Sequence, residues 1–80
     1  MSMILLQICN IIKHMRKFSV RLKDLRQERG LSIIALSKET GISNASICRW
    51  ENDLSDISSD NLIKLAKFFN VTIDYLVGLE

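Results

Sequence analysis

Proline is absent from this chain of 80 residues, and glycine occurs only at Gly30, Gly41 and Gly78. Sandwiches, collagen-like repeats and linkers draw heavily on these residues, so their scarcity favours short helices punctuated by glycine. Cysteine is limited to Cys9 and Cys48, with no Cys-x-x-Cys and no partnered histidine. That excludes a disulfide framework and a zinc site, and suits two small apolar side chains in a reduced cytoplasm. The one histidine, His14, is equally isolated, so neither metal binding nor general-base chemistry has a second ligand or an orienting group. A nucleophile–base pair and a glycine-rich phosphate loop are also missing, and a chain this short has no room for a deep cleft. An enzyme is therefore not expected, and neither is a cofactor.

What is present is globular in composition: 48% of residues are hydrophobic and 25% charged. A chain of this length forms one small domain and buries only about 60% of its unfolded surface, so it needs efficient packing or a partner. The net charge is only +2, but it is unevenly spread. Residues 13–29 hold Lys13, Arg16, Lys17, Arg21, Lys23, Arg26 and Arg29 against Asp24 and Glu28. The remainder, from residue 30 onward, carries more acid than base. Such polarity suits a cationic face turned to a polyanion, or equally a solvated helix face.

Residues 1–12, MSMILLQICNII, are mostly apolar but too short to span a membrane, which takes about 20 residues. As a signal peptide the run lacks a basic start and a small-residue cleavage site. Ile4, Ile8, Ile11 and Met15 fall at helical spacing behind Ser2, which predicts a short amphipathic helix packed on the domain or on a second copy. A start at Met15, with an upstream extension before it, is the alternative.

From residue 20 the punctuation is regular and predicts an all-α bundle of five helices. Val20–Arg29 carries Leu22 and Leu25 and stops at Gly30; Ser32 caps Ile33–Thr40, which stops at Gly41. Ser43 caps Asn44–Asn52, with Ile47 and Trp50 inward. Ser58 caps Ser59–Phe69, whose Leu62, Leu65, Ala66 and Phe69 share a face, and Thr72 caps Ile73–Val77 before Gly78. This gives an extension over residues 1–19 and a domain over 20–79.

Residues 32–52 carry the functional signal. Two short helices joined at Gly41 and pinned by Leu36, Ile42 and Ile47 can place the first across a DNA backbone and the second in the major groove. The outward positions of the second are Ser43, Asn44, Ala45, Ser46, Cys48, Arg49 and Asn52. They are short and polar, with one arginine, where a solvent face mixes in Glu and Lys. Arg49 can bond guanine twice, Asn44 can pair with adenine, and the Ala45 methyl can touch thymine. Lys13, Arg16 and Lys17 form either a basic arm on phosphates or a solvated helix end.

The stretch GLSIIALSKETGISNASICRWEND, followed by LIKLAKFFNVTIDYLVG, resembles the Cro-type (Xre-type, lambda-repressor-like) helix-turn-helix family over about residues 20–79. The resemblance implies a small regulator of transcription, expected to be a repressor, that binds double-stranded operator DNA as a homodimer. It places Ser43, Asn44, Ala45 and Arg49 where bases are touched. Ser32, Ser46 and Asn52 fall where phosphates are held, and Lys17 joins them from the basic run. It also pairs Arg26 with Glu51. The chain departs from the family at Ile33 (often Gln), Ser37 (usually Ala), Thr40 (commonly Leu) and Asp53 (usually Gly), which implies weaker or retuned DNA binding. Ile33 and Ile34, apolar where polar residues are usual, support the alternative of a module that binds a protein partner.

Overall fold

In a computed structural model of the chain, residues 17–79 are described, the side chain of Lys17 excepted. The expected helix over the first residues, its Ser2 cap and the basic side chains of Lys13, Arg16 and Lys17 lie outside the described residues. Five helices follow in order: α1 (Lys17–Glu28), α2 (Ile33–Thr40), α3 (Asn44–Glu51), α4 (Ser59–Phe69) and α5 (Ile73–Leu76). Among the described residues there is no strand.

The starts of α2 to α5 follow from one local device. The side chains of Ser32, Ser43, Ser58 and Thr72 accept hydrogen bonds from the third N–H of each helix, on Ala35, Ser46, Asn61 and Tyr75. Each such cap contributes about 1 kcal/mol. Helix α1 departs from expectation in including Lys17, Phe18 and Ser19, ahead of Val20. Phe18 explains this: it packs against the core, edge-on to Trp50 with ring centroids 6.5 Å apart.

The ends share a second device, a left-handed residue followed by a bond reaching back five residues. Leu31, Leu54, Val71 and Leu79 N–H groups donate to the carbonyls of Arg26, Arg49, Ala66 and Asp74. The left-handed residues are Gly30 and Gly78, but also Asp53 (φ 59°) and Asn70 (φ 56°). In consequence α3 ends at Glu51 and α5 at Leu76, one residue short of each expected boundary.

One core joins all five helices. Leu22, Leu36, Ile47, Leu65 and Leu76 are fully buried, one from each helix, and Leu25, Ile42, Trp50, Ala66 and Phe69 close around them. Helix α1 packs on α3 and α5, while α2 packs on α3 and α4. No helix among the described residues is long and apolar enough to cross a membrane.

Candidate nucleic-acid interface

The turn between α2 and α3 sets the angle at which α3 is presented. Gly41 sits in the left-handed region (φ 76°), its N–H bonded to Ser37 O, and Ile42 drops into the core. Two side chains brace the same turn. Ser37 Oγ donates to Ile42 O, and Thr40 Oγ1 donates to Leu36 O at 2.8 Å while accepting from Ile42 N–H at 3.3 Å. The serine and threonine that depart from the family pattern thus hold the turn by hydrogen bonds.

The far end of α3 is fixed by an ion pair that tethers three segments. Arg26 donates Nε to Glu51 Oε2 at 2.6 Å and Nη2 to Oε1 at 2.9 Å, and Nη1 to Leu31 O at 2.8 Å. Both side chains are largely buried, 11% and 5% exposed. The hydrogen bonds to Glu51 raise the already high pKa of the guanidinium, burial opposing them. Trp50, buried beside this pair, donates Nε1 to Asp56 O at 3.3 Å and anchors the loop after α3.

These two anchors leave one face of α3 outward. Ser43, Asn44, Ala45, Cys48, Arg49 and Asn52 are exposed and Ser46 is half-buried. Ser43 Oγ donates to Ser46 Oγ at 2.8 Å, so the two hydroxyls form one polar edge at the start of the helix. Asn52 donates Nδ2 to Cys48 O at 2.7 Å, closing the other end. Glu51 is the sole acidic residue of α3, and the Arg26 pair turns it inward. Ser32 is exposed at the start of α2. Of the residues singled out from sequence, seven therefore lie on α2–turn–α3, and the Lys17 side chain falls outside the described residues.

Two features escaped the sequence reading. Among the described residues of the basic run, Arg21 lies over the Tyr75 ring at 4.0 Å, Arg29 lies over Phe68 and Phe69 at 5.0 and 5.4 Å, and Arg26 is paired with Glu51. Of the apolar pair at the start of α2, only Ile34 is outward, 57% exposed, while Ile33 packs on the core. Pairing of this kind depends on how the helices cross, which no local pattern encodes.

A five-helix, all-α domain with a braced turn and a helix whose outward face carries no acid has the form of a helix-turn-helix domain. The family model described as "Helix-turn-helix" matches residues 22–76, and the chain belongs to that family. The chain is 36% identical over 60 residues to the HTH-type transcriptional regulator ImmR of Bacillus subtilis (strain 168), a match covering 75% of this chain and 47% of that protein. It is 39% identical over 61 residues to the HTH-type transcriptional regulator PrpR of Mycobacterium tuberculosis, covering 75% of this chain and 13% of that one. It is also 32% identical over 57 residues to Repressor protein C2 of Salmonella phage P22, covering 71% of this chain and 26% of that one. The match thus spans about half the length of ImmR and less of the other two. No solved structure matches the chain significantly.

Proposed function

We propose that the protein binds double-stranded operator DNA sequence-specifically as a homodimer, with α3 in the major groove, and acts as a transcriptional repressor. The observation that carries this reading is the outward face of α3. Six exposed residues offer short polar groups and one arginine, and the helix's single carboxylate is withdrawn into an ion pair. On this face Ser43, Asn44, Ala45 and Arg49 read bases, with Arg49 suited to the two acceptors of guanine and Asn44 to adenine.

Phosphates are held by Ser32, Ser46, Asn52 and Lys17, and by backbone N–H groups at the starts of α2 and α3. Neither helix has an acidic residue in its first turn, so both positive ends remain available to an anion. Affinity then comes mainly from phosphate contacts and specificity from the face of α3. The same reading makes residues 20–79 the DNA-binding domain, with Lys17 adding its contact from the residues before it. It leaves residues 1–19 as an extension whose last three residues are continuous with α1, and places the protein in the cytoplasm, with its DNA.

Enrichment of bound duplexes from a random DNA library at physiological salt tests the proposal. The expected result is an inverted repeat with half-sites about 10 base pairs apart, one helical turn. Weak binding that enriches no motif and vanishes as salt rises would instead favour a protein-binding module. The exposed Ile34 is the feature that supports that second reading.

A further inference from the structure

The chain leaves α2 differently from the other helices. After α1, α3, α4 and α5 the N–H that follows the left-handed residue donates to a backbone carbonyl five positions back. After α2 the corresponding N–H, of Ile42, donates instead to the Thr40 hydroxyl at 3.3 Å. The Ile42 carbonyl in turn accepts from the Ser37 hydroxyl. Both backbone polar groups of Ile42 are thus held by side chains of α2, while its own side chain is buried in the core. The Thr40 hydroxyl is itself fixed, because it donates to Leu36 O at 2.8 Å and its β-branched side chain has little χ1 freedom.

Ile42 is also where the direction of α3 is decided. It directly precedes Ser43, the N-cap of α3, and the left-handed Gly41 before it has no side chain to restrict the turn. The two ends of α3 are held unequally. The far end has the Arg26–Glu51 pair and the buried Trp50, whereas none of Asn44, Ala45 and Ser46 in the first turn is buried. The near end therefore depends on the hold at Ile42. A tilt of about 10° about Ile47 moves the backbone at Asn44, about 4.5 Å away, by about 0.8 Å, beyond the tolerance of about 0.5 Å for a site built on fixed geometry.

We propose that Ser37 and Thr40 are positioning residues for base recognition: their hydroxyls clamp Ile42 so that the first turn of α3 meets the bases in one register. The inference rests on the reading of α3 as the DNA-contacting helix, and deepens it. Both hydroxyls find their partners within the turn and act through α3 without touching DNA. Losing the clamp relaxes the base preference of the near half of α3, carried by Asn44 and Ala45. The preference of Arg49, beside the far anchor, stays in place.

Enrichment from the random library is repeated with Thr40→Val, which keeps the side-chain shape, with Ser37→Ala, and with Thr40→Ser, which keeps the hydroxyl. Asn44→Ala and Arg49→Ala mark the base pairs that each half of α3 reads, and thermal melts run alongside. Ser37→Ala removes a single oxygen, so the test stands even where Thr40→Val melts too low to assay. Thr40→Val and Ser37→Ala are expected to lose preference at the base pairs marked by Asn44 and to keep it at those marked by Arg49. Each should bind the wild-type duplex about tenfold more weakly, with little change on a scrambled duplex. Thr40→Ser is expected to retain the wild-type preferences. A purely structural role would lower the melting temperature and leave the enriched motif unchanged, because every molecule that stays folded reads the same bases. That result overturns the proposal, as does an equal loss of preference at both halves, or an Asn44→Ala motif that loses nothing. If the wild-type protein itself enriches no motif, the reading of α3 fails, and the clamp with it.

Discussion

The α2–α3 pair and the α4–α5 pair are built by the same rules and finished differently. All four helices are capped by a serine or threonine hydroxyl bonded to the third N–H. Helices α4 and α5 then place Asp60 and Asp74 in the first turn, where a carboxylate complements the positive end of the helix. Helices α2 and α3 place none. Each omission forgoes about 0.3–1 kcal/mol, so stability alone favours acid in all four. The pair that leaves its positive ends uncompensated is also the pair joined by the braced turn. On the proposed function, that pair is the one that meets the phosphates.

The largest expected effect removes the distinction between the pairs. Leu36 in α2 and Leu76 in α5 are both fully buried in one core. Replacing either with alanine should cost about 2–5 kcal/mol and unfold both pairs in a single transition, measured by urea denaturation with helical and tryptophan signals. Separate transitions would mean that the two pairs fold as independent units.

Next comes the tether between α1 and α3. Arg26→Met leaves Glu51 buried without its partner and should cost about 3 kcal/mol, whereas pairing it with Glu51→Leu should recover most of the loss. The sign of the pH dependence follows from the raised pKa of Arg26. A base whose pKa is raised on folding contributes fully below its unfolded value and loses that contribution as pH rises through the folded one. The arginine's share is therefore constant through neutral pH and lost only in strong alkali, which a denaturation series against pH can check.

The smallest effect on stability separates the pairs most sharply. Ala45→Asp adds to α3 the first-turn carboxylate that α4 already has, and should stabilise the domain by about 0.3–1 kcal/mol while abolishing DNA binding. Asp60→Asn should destabilise by a similar amount and leave DNA binding intact. Thermal melts and a duplex titration on the two variants together test whether stability and binding are opposed at α3 alone.

The elements were legible in the sequence because their signals are local. Ser32, Ser43, Ser58 and Thr72 stand immediately before apolar-periodic runs, and Gly30, Gly41 and Gly78 stand after them, so four helix starts follow from spacing alone. That α1 includes residues ahead of Val20 was not legible, because Phe18 packs against Trp50, 32 positions away. Nor was the fate of Arg21 and Arg29, which reads as a cationic run until α4 and α5 bring aromatic rings beneath them. The Arg26–Glu51 pair came from the family resemblance and not from spacing, since 25 positions separate the partners. At α3 the outward residues could be named from helical periodicity. The inward turn of Glu51 could not, and it is what leaves that face without acid.

Whether the outward face of α3 reads bases is tested most directly at Arg49. Wild-type and Arg49→Ala proteins are titrated with the duplex enriched from the random library and with a scrambled duplex of equal length and salt. Base readout by Arg49 predicts a loss of about 10-fold to 100-fold on the enriched duplex, about 1–3 kcal/mol, with little change on the scrambled one. An equal loss on both would place Arg49 on the phosphates and contradict base readout by α3.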